Sequence, residues 1–520
     1  MSSSSAVEIR RRPAPARAAA RTRRLTVTRE AAVVIGLTLL AALLRFWRIG
    51  HQGFWFDEAN TALLVHFSPG RMLGLIPRSE STPPLYYCLA WVWARVFGYT
   101  EAPLRSLSAV AGVATVPLAY GAAAKLISTR AGTIAAALTA CSPLLIWYSQ
   151  EARSYALLVL FTSAALFAFA HARSSPGPRP LTAWAIASAL ALATHYYAVL
   201  AIVPEAVWLL ALHRRRRPVQ VAVAVVAACG LALIPLALSQ KGTGRSNWIA
   251  TVSLLRRLGE VLPQSLLGFG APAWAVLGPV ALAITALALV LLVTRSRPRE
   301  RSGALVAAGI AVGGLGVNLL MIAAGVDDLI TRNLLALWLP AAVVVAGGLA
   351  AGRARRLGLA LALVLCALGV TAAVGVAVDR NLERPDWRVV ARLLGPRPPG
   401  AGPRAILVAH YRDLLPLSLY LPGLRFSGRA GARVSELDVV EFTSPPSAGF
   451  CWWGSACNLW PVRTQHRFDV PGFHEAWERH ALQFTVIRLI ASRPVRLGPR
   501  EVGRAVRTTR LRNDEFLLQR

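Results

Sequence analysis

Long apolar runs, each close to the length that crosses a bilayer at roughly 1.5 Å per residue, punctuate the chain and restrict what it can fold into. They cover residues 31–49, 82–98, 102–124, 130–147, 152–171, 180–195, 196–212, 218–239, 272–294, 303–325, 329–350 and 354–378. With 55% hydrophobic and only 16% charged residues, a water-soluble domain is excluded, and the chain is an all-α polytopic membrane protein. Its net charge of +32 comes from 57 Lys+Arg against 25 Asp+Glu. Much of that excess sits in short Arg clusters between apolar runs, the pattern of cytoplasmic loops, so it argues for membrane topology and against nucleic-acid binding.

The clusters Arg214–Arg217, Arg295 to Arg301 and Arg353 to Arg356 fix three loops inside. If every run crosses, the basic amino terminus falls on the wrong side. The run 82–98 opens with Pro83 and Pro84 and carries Tyr86, Tyr87, Trp91, Trp93 and Arg95, which suits a helix lying along the interface. Laying it flat gives about eleven spans, amino terminus in and carboxyl terminus out. Merging 180–212 into one bent helix also restores parity, but it puts Arg173 and Arg179 outside, against the charge rule.

On this reading, residues 1–30 form a disordered basic cytoplasmic tail, and 31–378 form the membrane domain with a first outer loop over 50–101. No small-residue cleavage pattern follows the first run, which is expected to be a retained span. Residues 379–520 mix short apolar runs with turn signals, as expected of a small extracytoplasmic α/β or α+β domain. No repeat of the inverted-transporter kind is found. Cys88, Cys141, Cys229 and Cys366 lie in apolar runs as small buried hydrophobes, whereas Cys451 and Cys457 frame a loop and are expected to pair if it meets an oxidising compartment.

Polar residues converge on the outer side: Asp57 and Glu58 after the first span, then Arg105, Gln150 to Arg153, His195 to Tyr197, Lys241 to Arg245 and Asp327 to Arg332. In a chain poor in acid, the pair in Phe54-Trp55-Phe56-Asp57-Glu58 has the greatest chemical weight. A carboxylate can accept a proton and Arg or Lys can meet a phosphate. Asp327 and Asp328, adjacent and without further oxygen ligands, make a poor metal site.

In order, Trp55-Phe56-Asp57-Glu58, Thr82-Pro83-Pro84-Leu85-Tyr86-Tyr87, Leu104 to Ala109, Ser142-Pro143, Tyr148 to Tyr155 and His195-Tyr196-Tyr197 resemble the motifs of bacterial relatives of protein O-mannosyltransferases and aminoarabinose transferases. These are polyprenyl-phosphate-sugar-dependent glycosyltransferases of the GT-C fold, and the likeness extends over roughly residues 31–200. It implies a multi-pass protein of the bacterial cell membrane that moves a sugar, foremost mannose or a pentose, from a polyprenyl-phosphate donor to an extracytoplasmic glycan, lipid or protein. The reaction would be inverting, with no obligatory cofactor or metal. Asp57 would take the acceptor proton, and Glu58 would orient it or bind the acceptor. Arg105 would lie near the donor phosphate, with Glu151, Arg153, His195 and Tyr196 in the same site. Thr331-Arg332-Asn333-Leu334-Leu335 is similar to a family stretch whose Arg contacts the lipid phosphate, although Asn333 stands where Tyr is usual. A lipid-sugar flippase or a noncatalytic scaffold would share the spans, but a transporter should carry ionisable groups near mid-span.

Overall fold

The computed structural model describes residues 28–397, 400–408, 414–426, 431–442, 468–498, 501–502 and 516–519. Cys451 and Cys457 lie outside them. Helices dominate up to Val378: α1 (Arg29–Phe46), α2 (Phe56–Leu64), α3 (Pro69–Ser79), α4 (Leu85–Phe97), α5 (Glu101–Leu126), α6 (Thr129–Cys141), α7 (Pro143–Ser149), α8 (Tyr155–Ser174) and α9 (Pro178–Thr194) come first. After them come α10 (Val199–His213), α11 (Arg217–Ala232), α12 (Ile234–Lys241), α13 (Leu254–Leu267), α14 (Trp274–Arg295), α15 (Pro298–Ala323), α16 (Trp338–Leu349) and α17 (Arg355–Val378).

Among the described residues, eight stretches are long and apolar enough to cross a membrane, or nine if the bent pair α6–α7 counts as one span. The expected eleven also include α1, which carries Arg29, Glu30 and Arg45 in 18 residues, and α9, only 17 residues long. His195, with extended backbone at φ −158°, separates α9 from α10, so 180–212 is not one helix. At 13 residues α4 spans only about 20 Å, short of a hydrocarbon core of about 30 Å. It buries Tyr86, Tyr87, Ala90 and Ala94 along one stripe and exposes Val92, Val96 and Phe97.

The 55° break between α6 and α7 has a chemical cause. Pro143 has no N–H for the carbonyl of Thr139, four residues back. Arg45, fully buried in α1, donates to Thr139 O (2.9 Å), Ala140 O (3.0 Å) and Ser149 Oγ (3.2 Å) instead. Gly112 of α5 makes room: a Cβ there would stand 2.1 Å from Ser149 Oγ and 2.8 Å from Arg45 Nε. The break places the turn 150–154 at the mouth of the helical bundle.

Beyond α17, helices α18 (Trp387–Leu394) and α19 (Leu414–Tyr420) accompany a mixed six-stranded sheet. Its strands are β1 (Arg404–Leu407), β2 (Leu424–Phe426), β3 (Ala432–Phe442), β4 (His474–Ala481), β5 (Phe484–Leu497) and β6 (Phe516–Gln519), in the order β2-β6-β1-β3-β5-β4. Among the described residues, β1 and β3 pair in parallel and the other pairs are antiparallel. Period-2 alternation sends Ala405 and Leu407 into one apolar layer and Ile406 and Val408 into the other. The second layer also takes Trp387, Val390, Ala391 and Leu394 of α18, an i, i+3, i+4, i+7 stripe.

Candidate active site

A cavity of about 1080 Å³ opens where the loops at one end of the helical bundle meet. Asp57, Glu80, Glu151, Arg153, His195, Tyr196, Lys241, Arg245, Asp328 and Arg332 all contribute to its polar part. Its other wall is apolar and runs along α10, α11 and α12 through Ile202, Val203, Val226, Leu231 and Leu238. The space is therefore amphiphilic, charged at one end and greasy along its length.

Asp57 stands in the first turn of α2, where unpaired helix amides favour negative charge. Its carboxylate is 3.6 Å from the Arg332 guanidinium, and both side chains keep partial exposure to the cavity, 19% and 26%. Arg332 is the second residue of the 3₁₀ turn Thr331–Leu337 ahead of α16, and its charge also lies 5.6 Å from the centre of the Trp248 ring. Arg332 is thus held by Asp57 and not by Asp327, which forms a double hydrogen bond with Arg257 at 2.7 Å. Asn333 donates to Asp328 O at 2.7 Å, and Asp328 accepts from Tyr197 at 2.9 Å.

A second pair flanks the first. Arg153 donates to Glu80 at 2.7 Å and to the Tyr87 hydroxyl at 3.2 Å, while Asn60 donates to the other Glu80 oxygen. Glu151 is buried and meets Arg384 at 3.1 Å, leaving its Oε1 unpartnered at the cavity wall. Burial, opposed by Arg384, pushes the Glu151 carboxyl up to about 7. His195 packs between Tyr155 and Tyr197, each ring 5.5 Å away. Burial, with Arg153 and Arg332 nearby, lowers its imidazole to about 3, so it is neutral. Tyr196 reaches the cavity, but its hydroxyl is already bonded to Gln240 at 2.8 Å.

Arg105 departs from the expected place near the donor phosphate, and Glu58 from the acceptor-binding alternative, though not from that of orienting Asp57. They form a buried bidentate pair (2.7 and 2.6 Å), with exposures of 3% and 0%, and neither lines the cavity. Arg105 gives its remaining donors to the carbonyls of Ile49, Gln52 and Gly53, and Glu58 also accepts from Ala152 N–H at 2.8 Å. With these donors committed, Arg105 is in no position to meet a phosphate, nor Glu58 an acceptor. Their position is one of support: they fasten the loop before Asp57 to the turn after Glu151.

Sequence reasoning missed Glu80 and Arg384. Glu80 stands just ahead of the Thr82-Pro83-Pro84 motif, and Arg384 lies in the charge-dense stretch Glu383-Arg384-Pro385-Asp386-Trp387-Arg388 that follows the last span. Among the described residues, no group of three or more His, Cys, Asp or Glu side chains is placed to hold a metal ion.

Residues 81–239 match the family described as dolichyl-phosphate-mannose-protein mannosyltransferase. No curated protein sequence matches the chain. Among solved structures, ArnT from Cupriavidus metallidurans in the apo state is similar, with a TM-score of 0.54 at 13% identity, covering 89% of this chain and 98% of that one. The same protein bound to undecaprenyl phosphate gives 0.53 at 13% identity, covering 88% and 98%. The fold is shared over nearly the whole length.

Proposed function

We propose, for a GT-C membrane glycosyltransferase whose residues 81–239 match the dolichyl-phosphate-mannose-protein mannosyltransferase family, that the donor is a sugar on polyprenyl phosphate and that Asp57 is the base. The amphiphilic cavity carries this reading. A polyprenyl chain fits the apolar wall of α10 to α12, which sets the phosphate and sugar at the polar end beside Asp57 and Arg332. The undecaprenyl phosphate bound by ArnT, a protein of the same fold, supports the choice of lipid.

In the proposed reaction the acceptor hydroxyl gives its proton to the Asp57 carboxylate as its oxygen attacks the anomeric carbon. The bond from that carbon to the phosphate oxygen breaks on the opposite face, so the configuration inverts. Polyprenyl phosphate leaves with the electron pair, and Arg332, with Arg153 and Lys241 along the same wall, compensates its growing charge. The Asp57–Arg332 ion pair keeps both groups in place until the phosphate competes for the guanidinium. His195, being neutral, adds polarity without a competing positive charge. Mannose or a pentose is the favoured sugar. The acceptor is a glycan, lipid or protein on the outer side of a bacterial cell membrane, with the amino terminus inside and residues 379–520 outside.

Purified protein, a membrane acceptor extract and a panel of radiolabelled polyprenyl-phosphate sugars test this. Labelled product with release of free polyprenyl phosphate is expected for at least one sugar. Transfer from a nucleotide sugar in the absence of any lipid-phosphate donor would contradict it.

A further inference from the structure

The loop leading into the proposed base is gripped from outside the membrane domain. Phe54 N–H, three residues before Asp57, donates to the Tyr420 hydroxyl of α19 at 2.7 Å, and that hydroxyl donates to Glu101 at 2.7 Å. Gly53 N–H donates to Asp386 Oδ1 at 3.1 Å, and Arg388 donates to His51 O. Arg388 also pairs with Glu101 at 3.4 Å, and Arg380 holds Asp386 from its other side at 2.7 Å. From the opposite side Arg105 takes the carbonyls of Ile49, Gln52 and Gly53. Consecutive backbone groups of one short loop are thus claimed by side chains of α5, α18 and α19 and the segment entering α18.

The approach requires a glycine. A Cβ on Gly53 would lie 2.5 Å from Asp386 Oδ1 and 2.8 Å from Arg388 Cβ. α19 also packs its Leu415 and Leu419 on the cluster containing Phe54, Ala59 and Ala62, and Leu415 reaches the cavity wall. The residues after the last span therefore touch the catalytic loop at its backbone, by apolar packing and at the rim of the cavity.

We propose that Tyr420, with Asp386, is a positioning residue for sugar transfer: the region after α17 sets the height and direction of Asp57 through the amides of Gly53 and Phe54. This rests on the assignment of Asp57 as base. An amide held by a neutral hydroxyl is a weak contact for global stability. Displacing a reacting group by a fraction of an ångström, by contrast, changes the rate steeply.

Tyr420→Phe keeps the ring and its packing and removes only the hydroxyl. Turnover of full-length Tyr420→Phe, Asp57→Asn and the double variant is measured, with donor KM and thermal unfolding followed alongside. The expected result for Tyr420→Phe is a fall in kcat of about tenfold per folded molecule, with donor KM within about twofold of the parent. Combined with Asp57→Asn, it should lower the residual rate no further. Gly53→Ala, which wedges the neighbouring Gly53–Asp386 contact apart, should repeat the kcat effect. Loss of thermal stability with unchanged kcat in Tyr420→Phe, while Asp57→Asn is inactive, would overturn the positioning role and leave the base assignment standing. An active Asp57→Asn would overturn both.

Discussion

Two neighbouring carboxylates in the first turn of α2 differ in what they can do because their surroundings differ. Asp57 faces the cavity and pairs with Arg332 there, whereas Glu58 is sealed against Arg105. Replacing one partner of a sealed ion pair leaves the other charge buried and costs about 3–5 kcal/mol. Glu58→Gln is therefore expected to lower thermal stability markedly, and Asp57→Asn to leave it nearly unchanged, as differential scanning fluorimetry would show. Arg332→Ala should depress transfer by about a hundredfold, with Arg332→Lys recovering part of it. Glu151 adds a pH dependence. Its folded pKa of about 7 lies above its ordinary value of 4.5, so the folded state holds the proton more tightly than the unfolded state. Stability is then lost as pH rises from about 4.5 to about 7, and Glu151→Gln is expected to flatten that part of a melting-temperature profile. An unchanged slope would show that Glu151 does not titrate there. The sequence exposed Asp57 through the scarcity of acid. It did not reveal that Glu58 and Arg105 satisfy one another, because the contact joins residues on separate helices and both types are equally suited to a site.

At the scale of elements, polar groups inside helices serve as fasteners. Arg45 satisfies carbonyls freed by the α6–α7 break, and Arg45→Leu, which strands them, is expected to destabilise the protein by about 3 kcal/mol or more, read as early thermal unfolding. Near the middle of α10, Glu205 accepts from Trp184 of α9 at 2.8 Å and is fully buried. Helix-to-helix hydrogen bonds in membranes contribute about 0.6–2 kcal/mol, so Glu205→Ala should lower stability by that order while Glu205→Gln, which keeps an acceptor, restores it. Period and length made the helices legible, since an apolar run of some twenty residues has few alternatives in lipid. Whether a given helix satisfies a neighbour's backbone depends on three-dimensional proximity, which neither hydropathy nor charge counting encodes. Arg45, read along the chain, is only a basic residue near the end of a first span.

For the whole molecule, the membrane helices supply the apolar wall, their loops supply most of the charges, and the region after α17 holds the loop that leads into Asp57. The mixed sheet was legible as a class from short apolar runs and turns, but its strand order was not, because β6 inserts between β1 and β2 from the far end of the chain. Equally illegible was the reach of Arg384 to Glu151 and of Tyr420 to Phe54, across hundreds of residues. The proposed orientation predicts that, in a cysteine-free background, a single cysteine at exposed Arg78 reacts with an impermeant thiol reagent in intact cells. One at exposed Arg297 should react only after lysis; the reverse pattern would invert the topology. The most direct test of the account is the single-turnover rate of sugar transfer from a radiolabelled polyprenyl-phosphate donor by the wild-type and Asp57→Asn proteins, each confirmed folded. Free polyprenyl phosphate should appear with the wild type and fall by at least about a thousandfold with Asp57→Asn. Equal release by the two proteins would contradict the assignment of Asp57 as the base.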